Sequence, residues 1–547
     1  MRGNDFMSAS KKKKLRSEES GKLTERQRNE QKEAKKVKVY SIAFVAVLVL
    51  MVGFAIGVGV NRSIESSGVR EKNTVAVTIG EHELSSAEFS YYYIDYINNF
   101  ANNYGSYLSY FGLDTSKTLD EQVYDEESGI TWADEFIEEA ASSAKSVLAL
   151  ADAAEAEGFT LPEEEQSQVD LLSSNLDSYA TLYGYSNTNA FLKAQYGNGA
   201  SKDSYLEYYS RNLLATAYQS AHEDSLTYTD EQIRAADDED PTQYSSYSFA
   251  QYYIATSKYL TGGTTDEDGN TTYTAAERES AVEAAREAIE PLTEASSLDE
   301  LNEAIAAMEI NADTEASATE CTDYAKSSIN SNFRDWVTDA SRKEGDITCV
   351  EVAGTATDEN GEEIDTVSGF YVVFYIGEND NKTELINVRH ILVSFDGDQQ
   401  DDGTYSDEVK EAARTSAEEI LSEWQSGDAT EESFAELANS NSSDSGSNTN
   451  GGLYENVYPG QMVSAFNDWC FDASRKAGDT GIVETSYGYH VMYFVGTTGQ
   501  TYRDYQITND LKDADMNSWT ESLLENYTIT VGDTSYMRKD ITLSSSN

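Results

Sequence analysis

Two of the chain's four histidines lie in the middle of short apolar stretches that are typical of strands: His390 in INVRHILVS and His490 in GYHVMYFVG. Side chains alternate between the two faces of a strand, so His390 shares a face with Val388, and His490 shares one with Met492 and Phe494. On neighbouring strands of one small sheet, two imidazoles can hydrogen-bond to each other. Each histidine alone would more often be an ordinary core residue, but the pair is the first indication of a functional site.

The stretch 450–496 holds further side chains that suggest a site. It begins with a glycine turn and continues with GQMVSAF, whose pattern predicts a short helix before the strand of His490. Met462 and Phe466 are four residues apart, and that spacing places two side chains on one face of a helix. Together with Leu453 from the glycine turn they would line an apolar pocket. Taken alone, they would be ordinary core residues.

Five short motifs follow one another at plausible spacings: VRHILV, an Asp in a Ser/Asn-rich loop, GGL, GQMVSAF and TSYGYHV. In this order they resemble the parvulin family of peptidyl-prolyl isomerases, over about residues 384–497. One such motif alone would be a weak signal, but five in order make a specific one. The resemblance implies a small antiparallel sheet covered by helices. It also implies an enzyme that isomerises Xaa–Pro peptide bonds without a cofactor or a metal.

The resemblance further implies which residues form the site. A histidine network would shape the site rather than transfer protons, a hydroxyl would contact it, and an acidic residue would lie beside the twisting amide. These catalytic residues would be His390, His490, Thr485 and Asp444. The substrate-binding residues, which would hold the proline ring, would be Leu453, Met462 and Phe466. Asp444 has an alternative role in an Asx turn, and GGLYEN departs from the family's usual GG-Asp-Leu-Gly.

Isomerisation of an Xaa–Pro bond needs a particular kind of pocket. Amide resonance opposes rotation with a barrier of about 18–20 kcal/mol. Catalysis therefore requires a site that stabilises the twisted amide more than the planar one, and it requires no nucleophile. No spacing typical of a metal site occurs in the sequence, and no basic cluster accompanies the predicted pocket. A preference for a phosphorylated residue before proline is therefore not expected.

The composition limits the number of domains and the class of partner. At 547 residues the chain is too long for one core, since single cores rarely exceed about 250–300 residues. It has 39 basic and 98 acidic side chains, a net charge of −59. This charge argues against nucleic acid as a partner, because phosphates need a basic face. The three cysteines allow one disulfide at most; Cys321–Cys349 is a candidate pair, and three buried thiols are the alternative.

Charge is distributed unevenly along the chain. Residues 1–40 carry 13 Lys/Arg and 6 Asp/Glu, whereas residues 41–547 carry 26 and 92. The stretch 1–38 is typical of a basic, disordered cytoplasmic tail. The uncharged stretch 39–60 is long enough to span a bilayer, and its basic flank predicts a single-pass anchor in the cell membrane with the following residues outside the cytoplasm. A cleaved signal peptide is the alternative, but its apolar core is usually shorter.

Residues 73–241 are predicted to be mostly helical. Two small strands around Gly80 precede a helix whose start is marked by a capping box, Ser85-x-x-Glu88. Tyr- and Leu-rich amphipathic patterns follow as far as His222. This layout resembles the chaperone region of PrsA-like foldases, which are membrane-anchored and extracytoplasmic, and implies that the region binds unfolded polypeptides. An ordinary helical bundle is the alternative.

An internal repeat relates the parvulin-like stretch to the residues before it. FRDWVTDASRKEGD at 333–346 matches FNDWCFDASRKAGD at 466–479 at 10 of 14 positions. Further along each copy, GFYVVFYIG matches GYHVMYFVG. We therefore expect two parvulin-like domains in tandem, at 242–383 and 384–497.

The two repeats differ at the positions where a site would lie. Tyr371 takes the position of His490, and Tyr252 takes approximately that of His390. The first repeat also has no GGL turn and no GQM before its helix. It is therefore predicted to be a degenerate, non-catalytic domain.

The expected fold class is α+β. It comprises a single transmembrane helix, a mostly helical chaperone region and two tandem parvulin-like domains, each a small antiparallel sheet covered by helices. Residues 498–547 contain a helical pattern and a last strand. In foldases of the layout that this chain resembles, such a segment packs on the chaperone region.

The expected function is that of an extracytoplasmic peptidyl-prolyl cis-trans isomerase and chaperone that assists the folding of exported proteins. Its partners would be unfolded or partly folded polypeptides, and the membrane through the anchor. The sequence leaves the oligomeric state open, a homodimer included. The alternative function is a non-catalytic holdase or surface binding protein that uses parvulin folds as scaffolds. A Ser/His/Asp hydrolase is disfavoured, because the sequence has no nucleophile-elbow motif.

Overall fold

The computed structural model describes residues 68–265, 269–358, 361–400 and 403–543. Contacts divide the chain into two units, Met1–Thr227 with Lys512–Asn547, and Tyr228–Leu511. In the described residues, no helix is both long and apolar enough to cross a bilayer. The predicted tail at 1–38 and the predicted anchor at 39–60 lie outside the described residues.

The described chain contains both helices and strands, in an α+β arrangement. The helices are α1 (Val69–Asn73), α2 (Ser86–Tyr104), α3 (Trp132–Ala156), α4 (Glu163–Leu182), α5 (Thr188–Tyr196), α6 (Lys202–Ser225), α7 (Asp230–Glu239), α8 (Ala275–Ile289), α9 (Leu298–Ala306), α10 (Arg334–Val337), α11 (Asp407–Ser426), α12 (Glu431–Asn441), α13 (Ser464–Cys470) and α14 (Tyr502–Leu524). The strands are β1 (Val75–Ile79), β2 (His82–Ser85), β3 (Val123–Asp125), β4 (Ile130–Thr131), β5 (Ser246–Ala255), β6 (Thr264–Thr265), β7 (Thr271–Thr272), β8 (Thr319–Ala325), β9 (Ile347–Thr357), β10 (Glu363–Asn379), β11 (Glu384–Ser394), β12 (Leu453–Val457), β13 (Thr480–Thr485), β14 (Gly488–Thr501) and β15 (Ile529–Val531).

The described part of the first unit is mostly helical, with one three-stranded sheet and the two-stranded sheet of β3 and β4. Ser85 accepts from the Glu88 amide while the Glu88 carboxylate accepts from the Ser85 amide, which confirms the predicted capping box at the start of α2. The three-stranded sheet has the order β15-β1-β2, so a strand from the C-terminal segment pairs with the first strand of the unit. Val77 lies opposite Val531 in this pairing. The C-terminal segment thereby completes the N-terminal sheet.

The second unit contains two four-stranded antiparallel sheets with the same internal plan. The first has the order β8-β5-β10-β9 and the second the order β12-β11-β14-β13. In the first sheet α8 and α9 pack on one face, where Ile254 and Phe370 are buried. In the second, α11 and α12 pack on one face around Ile391 and Val491. A short helix, α10 or α13, packs on the opposite face of each sheet.

Strand pairing aligns the two sheets residue by residue. In the second sheet, His490 of β14 lies opposite Leu392 of β11. In the first, Tyr371 of β10 lies opposite Tyr253 of β5. Since the repeat aligns Tyr371 with His490, Tyr253 corresponds to Leu392.

The counterpart of His390 in the first sheet therefore lies two residues before Tyr253, at Gln251. The sequence repeat predicts this counterpart at about Tyr252, and that prediction is wrong by one residue. The physical reason is the two-residue period of a strand, since a shift of one residue turns every side chain to the other face. Only the pairing with β10 fixes this register.

The described cysteines are not paired: Cys321, Cys349 and Cys470 are all free thiols. Cys321 lies on β8 and Cys349 on β9, which are the two outer strands of the first sheet. Three strand spacings separate them, or about 14 Å, whereas a disulfide needs Cα atoms within about 7 Å. The candidate Cys321–Cys349 disulfide is therefore wrong for this fold.

Candidate functional site

The two strand histidines meet on the α13 face of the second sheet. His390 on β11 and His490 on β14 are buried, with exposed fractions of 3% and 6%. Their rings are nearly parallel, with centroids 5.1 Å apart, and the two Nδ1 atoms are 2.9 Å apart. This distance is that of a hydrogen bond, so one Nδ1 donates and the other accepts. The predicted contact between the two imidazoles is present.

Asp444 lies at one end of this pair and is held by several donors. Its Oδ2 is 2.9 Å from Nε2 of His390, 2.5 Å from Oγ of Ser447 and 2.9 Å from the hydroxyl of Tyr454. Its Oδ1 accepts from the amide of Gly446 at 3.1 Å, which is an Asx turn. The two roles weighed for Asp444 thus coexist, one on each carboxylate oxygen.

These donors stabilise the charged form of Asp444. The hydrogen bond from His390 is the largest cause, and with those from Ser447 and Tyr454 it keeps the pKa of the carboxyl well below its usual range, although partial burial opposes the shift. Conversely, burial and the adjacent carboxylate raise the pKa of Tyr454 to about 12. At neutral pH the site therefore holds an ionised Asp444 and a protonated Tyr454.

Thr485 lies at the other end of the pair, at the end of β13. Its Oγ1 is 2.8 Å from Nε2 of His490, and it accepts from the amide of Tyr487 at 3.1 Å. The predicted hydroxyl contact to the histidines is therefore present. Together these groups form a continuous chain, which we call the histidine network: Thr485, His490, His390 and Asp444.

The protonation of His490 sets the order of donors in the network. Burial, helped by the neighbouring His390 and opposed by Asp444, lowers the pKa of His490 to about 4. When both imidazoles are neutral, His390 donates from Nε2 to Asp444 and its Nδ1 accepts from Nδ1 of His490. The Nε2 of His490 then accepts from the hydroxyl of Thr485. Because a neutral imidazole donates from one nitrogen and accepts at the other, the tautomer of one ring sets the tautomer of its neighbour.

An apolar and aromatic wall lies against the network. The ring of Phe466 on α13 meets both imidazoles edge to face, with each pair of centroids 5.4 Å apart. The half-buried Met462 packs in the same cluster, beside the buried Met492 and Phe494. The predicted face with His490, Met492 and Phe494 is therefore confirmed. Met462 is not on the helix, however, because α13 begins at Ser464 and Met462 lies in the turn before it.

Leu453 does not face the histidine network. In the pairing of β11 with β12, Leu453 lies opposite Arg389, and Tyr454 lies opposite Val388. Directly paired residues project to the same side of a sheet, so Tyr454 shares the face of the network and Leu453 projects to the other side. The ring of Tyr454 lies 5.4 Å from that of His390. The prediction that Leu453 lines the pocket is therefore wrong. Tyr454 occupies the position that was predicted for Leu453.

Tyr454 and Ser447 are the site residues that sequence reasoning missed. For Tyr454 a signal was available: counted from the two glycines of GGLYEN, it stands where the usual family pattern GG-Asp-Leu-Gly has its leucine. For Ser447 no signal was available, because it is one of several serines in SSDSGSN. Only the turn around Asp444 brings its hydroxyl to the carboxylate.

The glycine turn holds β12 close to the backbone of His390. The amide of His390 donates to the carbonyl of Gly452 at 2.9 Å. Gly452 has φ 68°, and a Cβ there would lie 2.1 Å from the carbonyl oxygen of His390. Only glycine tolerates both the left-handed backbone and this close approach. Gly452 thereby positions the strand that carries Tyr454.

Comparison with known families locates the domain. Residues 371–496 match the family of the PPIC-type PPIASE domain. The match includes all four residues of the histidine network. The second sheet belongs to a parvulin domain.

The parvulin domain also has relatives among characterised proteins. Foldase protein PrsA 1 of Listeria innocua is 34% identical over 113 residues, which are 21% of this chain and 31% of that protein. Chaperone SurA of Chromohalobacter salexigens is 35% identical over 144 residues, which cover 24% of this chain and 29% of the SurA chain. The chain thus spans less than a third of the length of each relative.

A crystal structure of peptidylprolyl isomerase PrsA from Bacillus cereus is 27% identical in the aligned part, with a TM-score of 0.18. The alignment covers 29% of this chain and 56% of the PrsA chain. This score is too low to relate the two overall architectures. The likeness that carries information is the sequence match of the parvulin domain.

Proposed function

We propose that the protein is an extracytoplasmic peptidyl-prolyl cis-trans isomerase and chaperone that assists the folding of exported proteins. The observation that carries this proposal is the continuous network from Thr485 through His490 and His390 to Asp444. It lies beside the aromatic wall of Phe466, within a domain that matches the PPIC-type family.

The geometry suits a reaction that breaks no covalent bond. Amide resonance places partial negative charge on the carbonyl oxygen of the planar Xaa–Pro bond, and twisting removes it. A fixed carboxylate near that oxygen disfavours the planar form more than the twisted one. Asp444 is held in one orientation by His390, Ser447 and Tyr454, so its charge needs no reorganisation during the reaction.

The proline ring would rest on the apolar wall. Phe466 and Met462 border the network on one side, and Tyr454 covers His390 from β12. The apolar surface would hold the proline ring while the carbonyl group of the preceding residue rotates beside the fixed charge of Asp444. Each tenfold acceleration requires about 1.4 kcal/mol of preference for the twisted amide, which two or three such contacts can supply.

We infer that the first sheet, within 242–383, is a second parvulin-type fold without a working site. Gln251 and Tyr371 replace the two histidines, and Cys321 takes the place of Tyr454 on the strand next to β5. The apolar wall remains, since Phe333 packs against Tyr371 with centroids 5.2 Å apart. This domain can bind an apolar segment, and the side-chain amide of Gln251 contacts the thiol of Cys321 at 3.6 Å, whereas His390 contacts the carboxylate of Asp444.

The remaining parts of the proposal concern location and clients. The uncharged stretch 39–60 would anchor the chain in the cell membrane with the described units outside the cytoplasm. Two of the relatives are a foldase and a chaperone by name. Unfolded or partly folded exported polypeptides would be the substrates of the parvulin domain and the clients of the region 73–241.

Variants of the network test the proposal against a purely binding role. Asp444→Asn keeps the shape of the site but removes the charge, and we expect prolyl isomerisation to fall at least about tenfold. Protection of an unfolded client from aggregation should stay at the wild-type level in the same variant. If the wild-type protein protects clients but does not accelerate isomerisation, the parvulin fold is a scaffold and the protein is a holdase.

A further inference from the structure

The most exposed aromatic side chains of the first unit are concentrated between α2 and α3. Nearly half of the large apolar side chains that are exposed in the described residues fall between positions 104 and 130. Tyr107 and Tyr110 are 59% and 85% exposed. We call the following residues the aromatic surface: Tyr104, Tyr107, Tyr110, Phe111 and Tyr124. Exposed aromatic side chains concentrated in this way are typical of interaction sites.

The aromatic surface has a rigid base. The ring of Phe100 contacts those of Tyr104 and Phe111, with centroids 5.0 and 5.7 Å apart. The buried Trp132 contacts Tyr124 at 4.7 Å and Phe100 at 6.3 Å. Phe100 and Trp132 thus link Tyr104, Phe111 and Tyr124, and Tyr107 contacts Tyr110 as a separate pair with centroids 6.1 Å apart. Because these rings are already ordered, a ligand would lose little entropy in fixing them.

The segment that carries the aromatic surface is rich in carboxylates. Between positions 104 and 139 the chain has ten Asp/Glu residues and one basic residue, Lys117. Glu135 raises the pKa of the Tyr124 hydroxyl, with a further contribution from Glu139. After burial, the same two carboxylates raise the pKa of Tyr96. In the described part of the chain, no Lys or Arg lies within ion-pair distance of either glutamate, whereas Lys117 pairs with Asp114 at 3.6 Å.

In two other places in the same chain, an arginine side chain stacks on an aromatic ring and lies beside a carboxylate. Arg475 lies with Cζ 3.9 Å from the ring centroid of Trp469, and its Nη1 is 3.9 Å from Asp479. Arg342 stacks on Trp336 at 4.9 Å in the first sheet domain in the same way. A guanidinium suits this arrangement because it is planar, always charged and weakly hydrated. The aromatic surface offers the ring and the carboxylate, and among the described residues no guanidinium stacks on its rings.

We propose that the aromatic surface binds arginine- and lysine-rich segments of unfolded polypeptides. Cationic side chains would lie over the exposed rings while Glu135 and Glu139 supply opposite charge. Several exposed rings between α2 and α3 suit an extended chain, which presents its side chains one after another. The proposal rests on the chaperone role proposed above and specifies the class of client that the first unit selects. A second copy of this strongly acidic chain would be repelled from the surface.

A pair of labelled peptides tests the proposal on the full chain in detergent micelles. Two short Gly/Ser peptides would differ only in carrying several arginines or several glutamates, and fluorescence anisotropy would measure their affinities. We expect the arginine peptide to bind at least about tenfold more tightly, since two or three exposed cation–π contacts suffice for that ratio. Its affinity should fall as salt screens the exposed charges.

Two double variants locate the binding. Tyr107→Ser with Tyr110→Ser removes two highly exposed rings. Glu135→Gln with Glu139→Gln removes two negative charges while keeping side chains of nearly the same shape. Each should weaken the arginine peptide about tenfold. The matched control, Leu182→Ser with Glu155→Gln, changes an exposed apolar and an exposed acidic side chain outside the surface and should have no effect.

The outcomes separate this proposal from the proposed function. Equal affinity for the two peptides, or full affinity in both double variants, overturns the cationic-client proposal even if isomerisation and client protection are intact. Self-association at assay concentration that the tyrosine variants abolish also overturns it, because the surface would then be an interface between copies. If the arginine peptide binds as expected but the wild-type protein neither isomerises Xaa–Pro bonds nor protects clients, the surface proposal stands and the proposed function falls.

Discussion

Acidification should loosen the parvulin domain because His490 must remain uncharged in the fold. Its side chain is 6% exposed, and burial lowers its pKa to about 4. In the unfolded chain the same imidazole has a pKa of about 6.5. Below that value the unfolded state binds a proton that the folded state excludes. The free energy of unfolding therefore decreases as the pH falls from about 6.5 towards about 4, and does not change from this cause above that range.

The magnitude follows from the two pKa values. At about pH 5 the unfolded imidazole is almost fully protonated and the folded one is mostly neutral, so proton linkage removes about 2 kcal/mol of stability relative to about pH 7. Asp444 does not contribute in this window, because its pKa lies below the usual range and its protonation requires a lower pH. The expected loss is a substantial part of the stability of an ordinary domain, about 5–15 kcal/mol.

Hydrogen exchange of β14 amides measures this effect in the full chain. Observed rates divided by the intrinsic rate at each pH give the free energy of opening, which we expect to fall by about 2 kcal/mol from about pH 7 to about pH 5. His490→Gln keeps a donor and an acceptor but does not titrate, so its opening free energy should fall by about 2 kcal/mol less than that of the wild-type protein. An unchanged value in the wild-type protein, or an equal fall in the variant, would refute the assignment of a neutral His490.

Three substitutions test other contacts of the site. Tyr454→Phe removes one donor from Asp444, so the carboxyl pKa should rise and the domain should lose about 1 kcal/mol in denaturant unfolding; an unchanged midpoint would show that the hydroxyl bond is not formed. Thr485→Val leaves an imidazole nitrogen without its donor, and kcat/KM for a prolyl peptide should fall several-fold, whereas Thr485→Ser should keep the wild-type value. Gly452→Ala combines a left-handed backbone with a clash against a carbonyl and should cost about 2–3 kcal/mol. Gly460→Ala, also at positive φ but with open space around the Cβ, should cost about 1 kcal/mol, and equal losses for the two would contradict the close approach.

Local sequence pattern was sufficient for the network itself. His390 and His490 lie in strands whose alternation is regular, so their faces follow from a period of two. Asp444 and Thr485 follow from the ordered motifs of the resembled family, and the structure places both at hydrogen-bond distance from a histidine. These contacts depend on strand faces and motif order, and both are visible in one sequence.

The errors concern residues whose position depends on strand pairing or on exact helix ends. Leu453 and Tyr454 are neighbours, and only the register of β12 against β11 decides which of them faces the network. The register of β5 against β10 likewise decides between Gln251 and Tyr252. Met462 was assigned to a helix from a four-residue spacing, but the helix starts two residues later. Pairing is a tertiary interaction, and a single strand does not encode it.

Sequence pattern does not predict the aromatic surface either. The residues between α2 and α3 show neither helical nor strand periodicity, and they fold into short turns of 3-10 helix and the β3–β4 hairpin. Their tyrosines could therefore not be assigned to a buried or an exposed face. The exposure of these tyrosines follows only from how the segment between α2 and α3 packs on Trp132 and Phe100.

The most direct test of the central claim is the rate of cis-trans exchange in a short Xaa–Pro peptide, measured by NMR exchange spectroscopy with catalytic amounts of the full chain. Wild-type protein should accelerate exchange, and His390→Ala should abolish the acceleration. Gln251→Ala, at the corresponding position of the first sheet, should retain the wild-type rate. Acceleration that survives His390→Ala, or that is lost in Gln251→Ala, would contradict a catalytic site built on the histidine network of the second sheet.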